Sequence, residues 1–362
     1  MKITIVAGAR PNFIKIAPII KAIGKKQNEG ATISFRLVHT GQHYDKNLSD
    51  TFFEELNIPH PNTNLEVKSG SQAQQTAAIM IAFEQELLKN PCDLVLVVGD
   101  VNSTMACALV AKKMNIKVTH VEAGIRSGDM TMPEEINRIV TDSISDYFFT
   151  TSTWAGENLI KYGAEPSTIY FVGNVMIDTL YQNLDRILAP SFWNTFALET
   201  GNYIILTLHR PANVDEEKSL IDLLKGIDKM VGTKKIIFPI HPRTKAILGE
   251  TNIDLKNIFF VEPQGYLNFM YLIKNSFAVI TDSGGISEET TVLGIPCFTM
   301  RNNTERPETQ TIGTNTLVGT SVKNLEKIFG EFLINGPRKA GIPELWDGKA
   351  SERIVDILLS KK

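Results

Sequence analysis

The feature that most constrains the fold is a repeated pattern: short β-branched runs alternate with longer helical stretches, and the series starts twice. In the first half "KITIVAG" precedes a helical pattern from Pro11 to Gln27, "DLVLVVG" one from Ser103 to Asn115, and "KVTHV" one from Pro133 to Asp146, with "TISFRLV", "YFFT" and "IYFVG" as further runs. Near-continuous apolar strands joined by crossover helices specify a parallel sheet covered on both faces. After Gly173 and the helix-like "NVMIDTLYQNLDRIL", the polar break "APSFWNTFALETGN" leads into "YIILTL", "KIIFPI", "NIFFV", "FAVIT" and "IPCFTM". The expected architecture is α/β, with two Rossmann-like doubly wound domains facing a central cleft. The first covers residues 1–172 and the second 173–348, and a C-terminal helix over 349–362 is expected to cross back to the first.

The length, 362 residues, exceeds the size at which one core stops growing, in agreement with two domains. Hydrophobic residues make up 43% and charged residues 21%, an ordinary globular balance. A formal charge of −3 gives no long-range pull toward nucleic acid or an anionic membrane, so neither is an expected partner, and an anionic ligand must be met by local cations. The chain has no 18-residue apolar run, and its start lacks the apolar region and cleavage site of a signal peptide, so a cytoplasmic location is expected. Cys92, Cys107 and Cys297 are odd in number and set in apolar contexts, which points to buried, reduced thiols. Neither a convergent metal-ligand spacing nor a G-x-G-x-x-G turn occurs, so no metal, dinucleotide or other cofactor is expected.

Open α/β sheets bind ligands beyond the carboxyl ends of their strands, and polar residues gather there in this chain. Arg10, Asp100, Glu122, His209, Arg210, His241 and Ser283 each lie just past an apolar run. "TDSGGISEE" follows a strand and opens a helix. Its glycines let backbone approach a ligand, and the free amides of a helix start favour a pyrophosphate. Glu289, about a turn and a half further on, is placed to accept both hydroxyls of an attached ribose. Arg10 and Lys15 in "AGARPNFIK", with His209, Arg210 and Arg306, supply cations suited to two phosphates.

Among the acids, Asp100 has a simple alternative as an N-cap, and Glu134 and Glu135 as first-turn acids favoured by the helix dipole. Glu122 stands at a strand tip, where an ionised carboxylate needs a partner or a function. Asp129 is most simply a turn residue, and Arg126 and Arg138 are expected to hold the loop or its acids in place. His43, in "TGQHYD", and His241 are weaker candidates than His209, since each could equally be a structural histidine.

Together "GARPNFIKIAP", "VVGDVNSTMA", "HVEAGIRSGDMTMPEEINR", "TDSGGISEE" and "RNNTERPE" resemble the non-hydrolysing UDP-N-acetylglucosamine 2-epimerases, over residue 3 to about 320. The resemblance implies two Rossmann-like domains in the glycosyltransferase B-type architecture, a homodimer, no NAD, and interconversion of UDP-GlcNAc and UDP-ManNAc through a 2-acetamidoglucal. It implies that Asp100, Glu122, Glu134 and His209 are catalytic. It further implies that Arg10, Lys15, Gln264, Phe269, Ser283, Gly284, Gly285, Glu289 and Arg306 hold the UDP part, with Gln264 and Phe269 on the uracil side. Glu122 and His209 are both expected to work in an open cleft, so that replacing either costs turnover rather than folding.

The chain departs from the commonest family pattern at Asn12, which replaces a usual Glu, at "HRPAN" for "HRxEN", and at Ser287, which replaces a usual Gln. "GARP", "TGQHYD" and "FFEELNIP" also resemble the branch acting on UDP-2,3-diacetamido-2,3-dideoxyglucuronate. That substrate is one alternative, and a glycosyltransferase of the same architecture is another.

Overall fold

The computed structural model describes residues 1–41, 52–214, 216–240, 242–248 and 253–361. His43, His241 and most of "TGQHYD" lie outside them. The chain divides into two compact units, one of Met1–Leu184 with Glu344–Lys362, the other of Asp185–Pro343.

The first unit contains β1 (Lys2–Ala7), β2 (Ser34–His39), β3 (Thr63–Asn64), β4 (Leu94–Val98), β5 (Lys117–Val121), β6 (Tyr147–Thr150) and β7 (Ile169–Phe171). They form a seven-stranded sheet in the order β3-β2-β1-β4-β5-β6-β7, with parallel pairing throughout. The second unit contains β8 (Tyr203–Thr207), β9 (Lys235–Pro239), β10 (Ile258–Val261), β11 (Ala278–Thr281), β12 (Cys297–Thr299) and β13 (Asn315–Leu317). Its six-stranded parallel sheet runs β10-β9-β8-β11-β12-β13. Both sheets therefore carry the doubly wound order, with the strand sequence reversing beside β1 and β4 in one unit and beside β8 and β11 in the other.

The apolar runs build the cores as the pattern requires. Every residue of β4, "LVLVV", is buried, as is every residue of β11, "AVIT". The first unit packs Val6, Val38, Val95, Val97 and Val118 against Ile79, Phe83 and Leu87 of the helix Gln72–Lys89. The second packs Ile204, Leu206, Ile236, Phe238 and Ile280 against Leu220, Leu224 and Ile227 of the helix Glu217–Met230. Cys107 and Cys297 are buried free thiols, but Cys92 is only half-buried. None of the described helices is long and apolar enough to cross a membrane.

The division between units falls after Leu184, twelve residues beyond the boundary expected at 172/173. The helix Val175–Asn183 accounts for the difference. It buries Val175, Met176, Ile177 and Leu180, and its Thr179 hydroxyl donates to the Ile14 carbonyl at 2.5 Å. The buried Asp178 carboxylate accepts the Ala350 and Ser351 amides at 3.0 and 2.7 Å, and so caps the final helix, Ala350–Ser360, from another part of the chain. That final helix lies along Arg10–Asn28, with exposed Lys25–Glu352 and Lys26–Asp356 ion pairs at 2.7 Å. Where the returning segment passes the turn after β7, a Cβ on Gly173 would come within 2.0 Å of the Leu345 carbonyl oxygen, so only glycine fits.

Candidate active site

In the first unit the site starts at the reversal between β1 and β4. The Asn12 carboxamide accepts the Gly8 and Ala9 amides, both at 3.0 Å, and donates to the Val98 carbonyl at 3.1 Å. Asn12 thus staples the end of β1 to the end of β4. One turn later Lys15 forms an ion pair with Glu122, both groups being buried. Gly99 borders the pair: a Cβ there would lie 3.0 Å from Lys15 Nζ and 3.5 Å from Glu122 Oε2, on a backbone with φ of +67°. Glu122 itself has φ of +68°, uncommon for a residue with a side chain. Lys15 was expected among the phosphate cations, but its ammonium lies on a carboxylate. A buried cation takes the nearest anion because desolvation is costly when a charge stands alone. Arg10 lays its guanidinium over the Phe52 ring at 4.5 Å from the centroid.

Asp100 does not cap the following helix, whose N-cap is Val101. Its Oδ2 accepts from Arg138 Nη1 at 2.5 Å. Arg138 also donates to Glu135 through Nε and Nη2, at 3.1 and 2.7 Å. Glu135 does more than favour the helix dipole, because it accepts the Ser127 amide, the Ser127 hydroxyl and the Gly128 amide as well. Burial alone would raise its carboxyl, but the Ser127 amide and Arg138 hold it below the usual carboxylate range. Asp129 closes its turn by accepting from the Thr131 amide and hydroxyl. Glu134, on the first turn of Pro133–Ile144, is exposed. Of the two adjacent acids, one ties down the loop and the other faces solvent.

Under this loop lies a network that sequence reasoning missed. His120 Nδ1 contacts Asp142 Oδ1 at 2.7 Å, and His120 Nε2 contacts the Gly99 carbonyl at 2.8 Å. Asp142 Oδ2 accepts from Arg126 Nη1 at 2.6 Å and the Gly124 amide at 3.1 Å. Burial raises the Asp142 carboxyl, but His120 and Arg126 outweigh it and hold the group low. The run "KVTHV" marked His120 only as part of a buried strand, and nothing in the spacing joined it to a helix 22 residues away.

In the second unit the reversal between β8 and β11 carries His209 and Asp282. His209 Nδ1 lies 2.7 Å from Asp282 Oδ1; the histidine side chain is 58% exposed and the aspartate fully buried. Ser283, Gly284 and Gly285 lead into the eight-residue helix Ile286–Leu293, whose N-cap is Gly285. Ser287 donates its hydroxyl to the Gly284 carbonyl at 2.6 Å and steadies this turn. Arg306 pairs with the buried Glu288. Arg301, which sequence reasoning missed, makes a two-point contact with Glu305 at 2.7 and 2.8 Å, and Arg210 Nη2 lies 3.8 Å from the same carboxylate. Burial raises Glu305, but Arg301 chiefly and Arg306 bring it down to about 2.

Glu289 is 3% exposed, and its Oε1 has no hydrogen-bond partner among the described residues. Burial first, then Glu288, pushes its carboxyl up to about 8. Gln264 donates to the Glu262 carbonyl at 2.6 Å, and Phe269 is half-buried on the helix Tyr266–Lys274. Among the described residues no cluster of three or more His, Cys, Asp or Glu side chains could hold a metal ion.

Each unit thus brings its expected residues to its own strand reversal: Arg10, Lys15, Asp100 and Glu122 in one, His209, Ser283, Gly284 and Gly285 in the other. A model of the UDP-N-acetylglucosamine 2-epimerase family matches residues 25–359, which spans both. The chain belongs to the UDP-N-acetylglucosamine 2-epimerase family. It is 44% identical to the UDP-N-acetylglucosamine 2-epimerase of Methanocaldococcus jannaschii, over 99% of both chains. It is 38% identical to the UDP-2,3-diacetamido-2,3-dideoxy-D-glucuronate 2-epimerase of Pseudomonas aeruginosa, again over 99% of both. The crystal structure of the M. jannaschii epimerase in complex with UDP-GlcNAc and UDP superposes with a TM-score of 0.90, covering 99% of this chain and 100% of that one. The family's two-unit α/β fold with parallel sheets is the fold of this chain.

Proposed function

We propose that this family member is a non-hydrolysing UDP-GlcNAc 2-epimerase, an isomerase that interconverts UDP-GlcNAc and UDP-ManNAc. The observation that carries the reading is the placement of complementary chemistry at the two strand reversals. Asp100 and Glu122 stand at one and His209 with the Ser283–Gly285 turn at the other. In the forward step a carboxylate takes the C2 proton. The C–H electron pair forms the C1–C2 double bond, and the C1–O bond breaks with its pair going to the β-phosphate oxygen of UDP. Return of a proton to the opposite face of C2, with the diphosphate oxygen re-forming the C1 bond, gives the epimer. No net redox change occurs, so no electron carrier is required.

The C2 hydrogen is not activated by a carbonyl, so the reaction needs both a positioned base and stabilisation of the departing diphosphate. Asp100, Glu122 and Glu134 are the proposed acid–base groups, with Glu134 the exposed member. His209, Arg10, Lys15, Arg306 and the amides of Ser283–Gly285 are proposed to hold the diphosphate, Lys15 beside its partner Glu122 and Arg306 beside Glu288. Glu289 is proposed for the ribose, since two hydroxyl donors would satisfy its otherwise unpartnered oxygen, and Gln264 and Phe269 for the uracil side.

Incubation with UDP-GlcNAc in deuterated water tests the reading. The expected result is deuterium at C2 with the nucleotide sugar intact; absence of exchange overturns it, and net release of UDP with free sugar would mark a hydrolysing enzyme. A second substrate, the diacetamido uronate, is favoured by the 38% identical relative, and the same incubation with that sugar nucleotide decides between them. A homodimer and a cytoplasmic location belong to the same proposal. Light scattering measures the mass.

A further inference from the structure

Asp282 stands at the end of β11 and is not exposed at all, yet it sits one residue before the Ser283–Gly285 turn. Its two oxygens have unequal surroundings. Oδ2 accepts from the Arg210 amide at 2.9 Å, the Asn213 side-chain amide at 2.9 Å and the His209 amide at 3.1 Å. Oδ1 shares the His209 amide at 3.2 Å and faces the His209 ring nitrogen Nδ1 at 2.7 Å. All the partners of Oδ2 are N–H donors, two of them on the backbone, and a backbone amide cannot reverse its polarity.

We propose that Asp282 is a positioning residue that fixes His209 as its Nδ1–H tautomer, so that Nε2 is the nitrogen left to a ligand. An ionised carboxylate only accepts, so the ring nitrogen facing it must carry the proton. The second ring nitrogen is then the one available for a ligand, a division of labour set by the hydrogen bond the other nitrogen makes. Nε2 has no protein partner among the described residues, in keeping with an imidazole 58% exposed. The ionised state of Asp282 has its own support. Burial alone would raise the carboxyl, but the His209 ring, Asn213 and the Arg210 amide hold it below the usual carboxylate range.

The proposal rests on His209 acting in the epimerase reaction, but its structural half does not. Asp282→Asn separates the two. The asparagine amide has one accepting and one donating end. The donors clustered at Oδ2 claim the oxygen, which places the NH2 group against His209 Nδ1. That nitrogen can then only accept, so the ring proton moves to Nε2. An aspartate-to-asparagine change beside a catalytic histidine acts the same way in serine proteases, where the geometry survives and the wrong tautomer results.

Nitrogen-15 correlation spectra of the full-length protein with labelled histidine, assigned by the loss of one ring signal in His209→Gln, report the tautomer directly. The expected result is Nδ1–H in the wild type and Nε2–H in Asp282→Asn, with kcat for C2 exchange lower by roughly 10²- to 10⁴-fold, as when a catalytic histidine is held in the wrong tautomer, and KM changed far less. A wild-type Nε2–H tautomer, an unchanged tautomer in Asp282→Asn, or a switched tautomer with unchanged kcat overturns the proposal. The wild-type spectrum alone carries the test if the variant does not fold. A wild type with the Nδ1–H tautomer but no C2 exchange would instead defeat the epimerase reading while leaving the His209–Asp282 arrangement in place.

Discussion

The two units each carry a charged pair at a strand reversal, and the pairs are built in opposite senses. Glu122 and Lys15 are buried together, with side chains 2% and 8% exposed. His209 is 58% exposed, and only its partner Asp282 is buried. A buried anion behind an exposed ring orients that ring. A pair buried at both ends also supports the fold around it, because removing one partner leaves an uncompensated charge in the interior. Of the two side chains, His209 is open to solvent and Glu122 is buried with its partner.

The largest effect should come from breaking the buried pair. Glu122→Gln is expected to destabilise the first unit by about 3–5 kcal/mol, lowering its calorimetric midpoint by roughly 10 °C, and also to abolish C2 exchange. Lys15→Met with Glu122→Gln should recover most of the stability but none of the exchange. An unchanged midpoint in the single variant would remove the contrast between the two pairs.

Glu289 gives the next effect, with a sign that can be worked out. Its folded carboxyl is pushed up to about 8, above the ordinary value of 4.5, so between these pH values the unfolded chain loses the proton and the folded chain keeps it. Stability should therefore fall as pH rises through that window, by an amount on the order of a few kcal/mol, and Glu289→Gln should flatten the dependence. Above about pH 8, where the wild-type carboxyl is ionised, the same variant should bind UDP about tenfold more weakly or worse, since it loses a charged acceptor for the ribose. Denaturant titrations across pH, and calorimetric titration with UDP, measure the two parts. Glu305, held at about 2 in the same unit, acts the other way and costs stability only as the solution becomes strongly acid.

The adjacent glutamates sharpen the comparison at smaller scale. Glu135→Gln disturbs a buried acceptor with several donors and should cost about 1–3 kcal/mol. Glu134→Gln should stay within about 0.5 kcal/mol of the parent while slowing exchange. His209→Ala is expected to be similarly mild for folding, under about 1 kcal/mol, with turnover lower by roughly 10²- to 10⁴-fold. Thermal melts beside deuterium-exchange rates separate the two readouts, and a large loss of stability in His209→Ala would erase the difference between the two pairs.

The alternation of apolar runs and helical patterns was enough to read two parallel sheets, because a strand covered on both faces is apolar along nearly its whole length, as "LVLVV" and "AVIT" are. It was also enough to place Arg10, Asp100, Glu122, His209 and Ser283 at strand ends, since polar residues cannot continue such a run. The unit boundary was not legible to the same degree. Helix Val175–Asn183 has the same amphipathic pattern whichever unit it joins, and its place follows from Asp178 meeting a segment more than 170 residues away.

What the sequence alone determined is which residues stand at the strand tips, because that depends on local pattern. Which charges meet there was decided by tertiary structure. Lys15 reaches Glu122 across 107 residues, His209 reaches Asp282 across 73, and Arg301 holds Glu305. Spacing along a chain carries no information about such meetings. They are fixed by sheet order, and by the cost of burying a charge without its opposite.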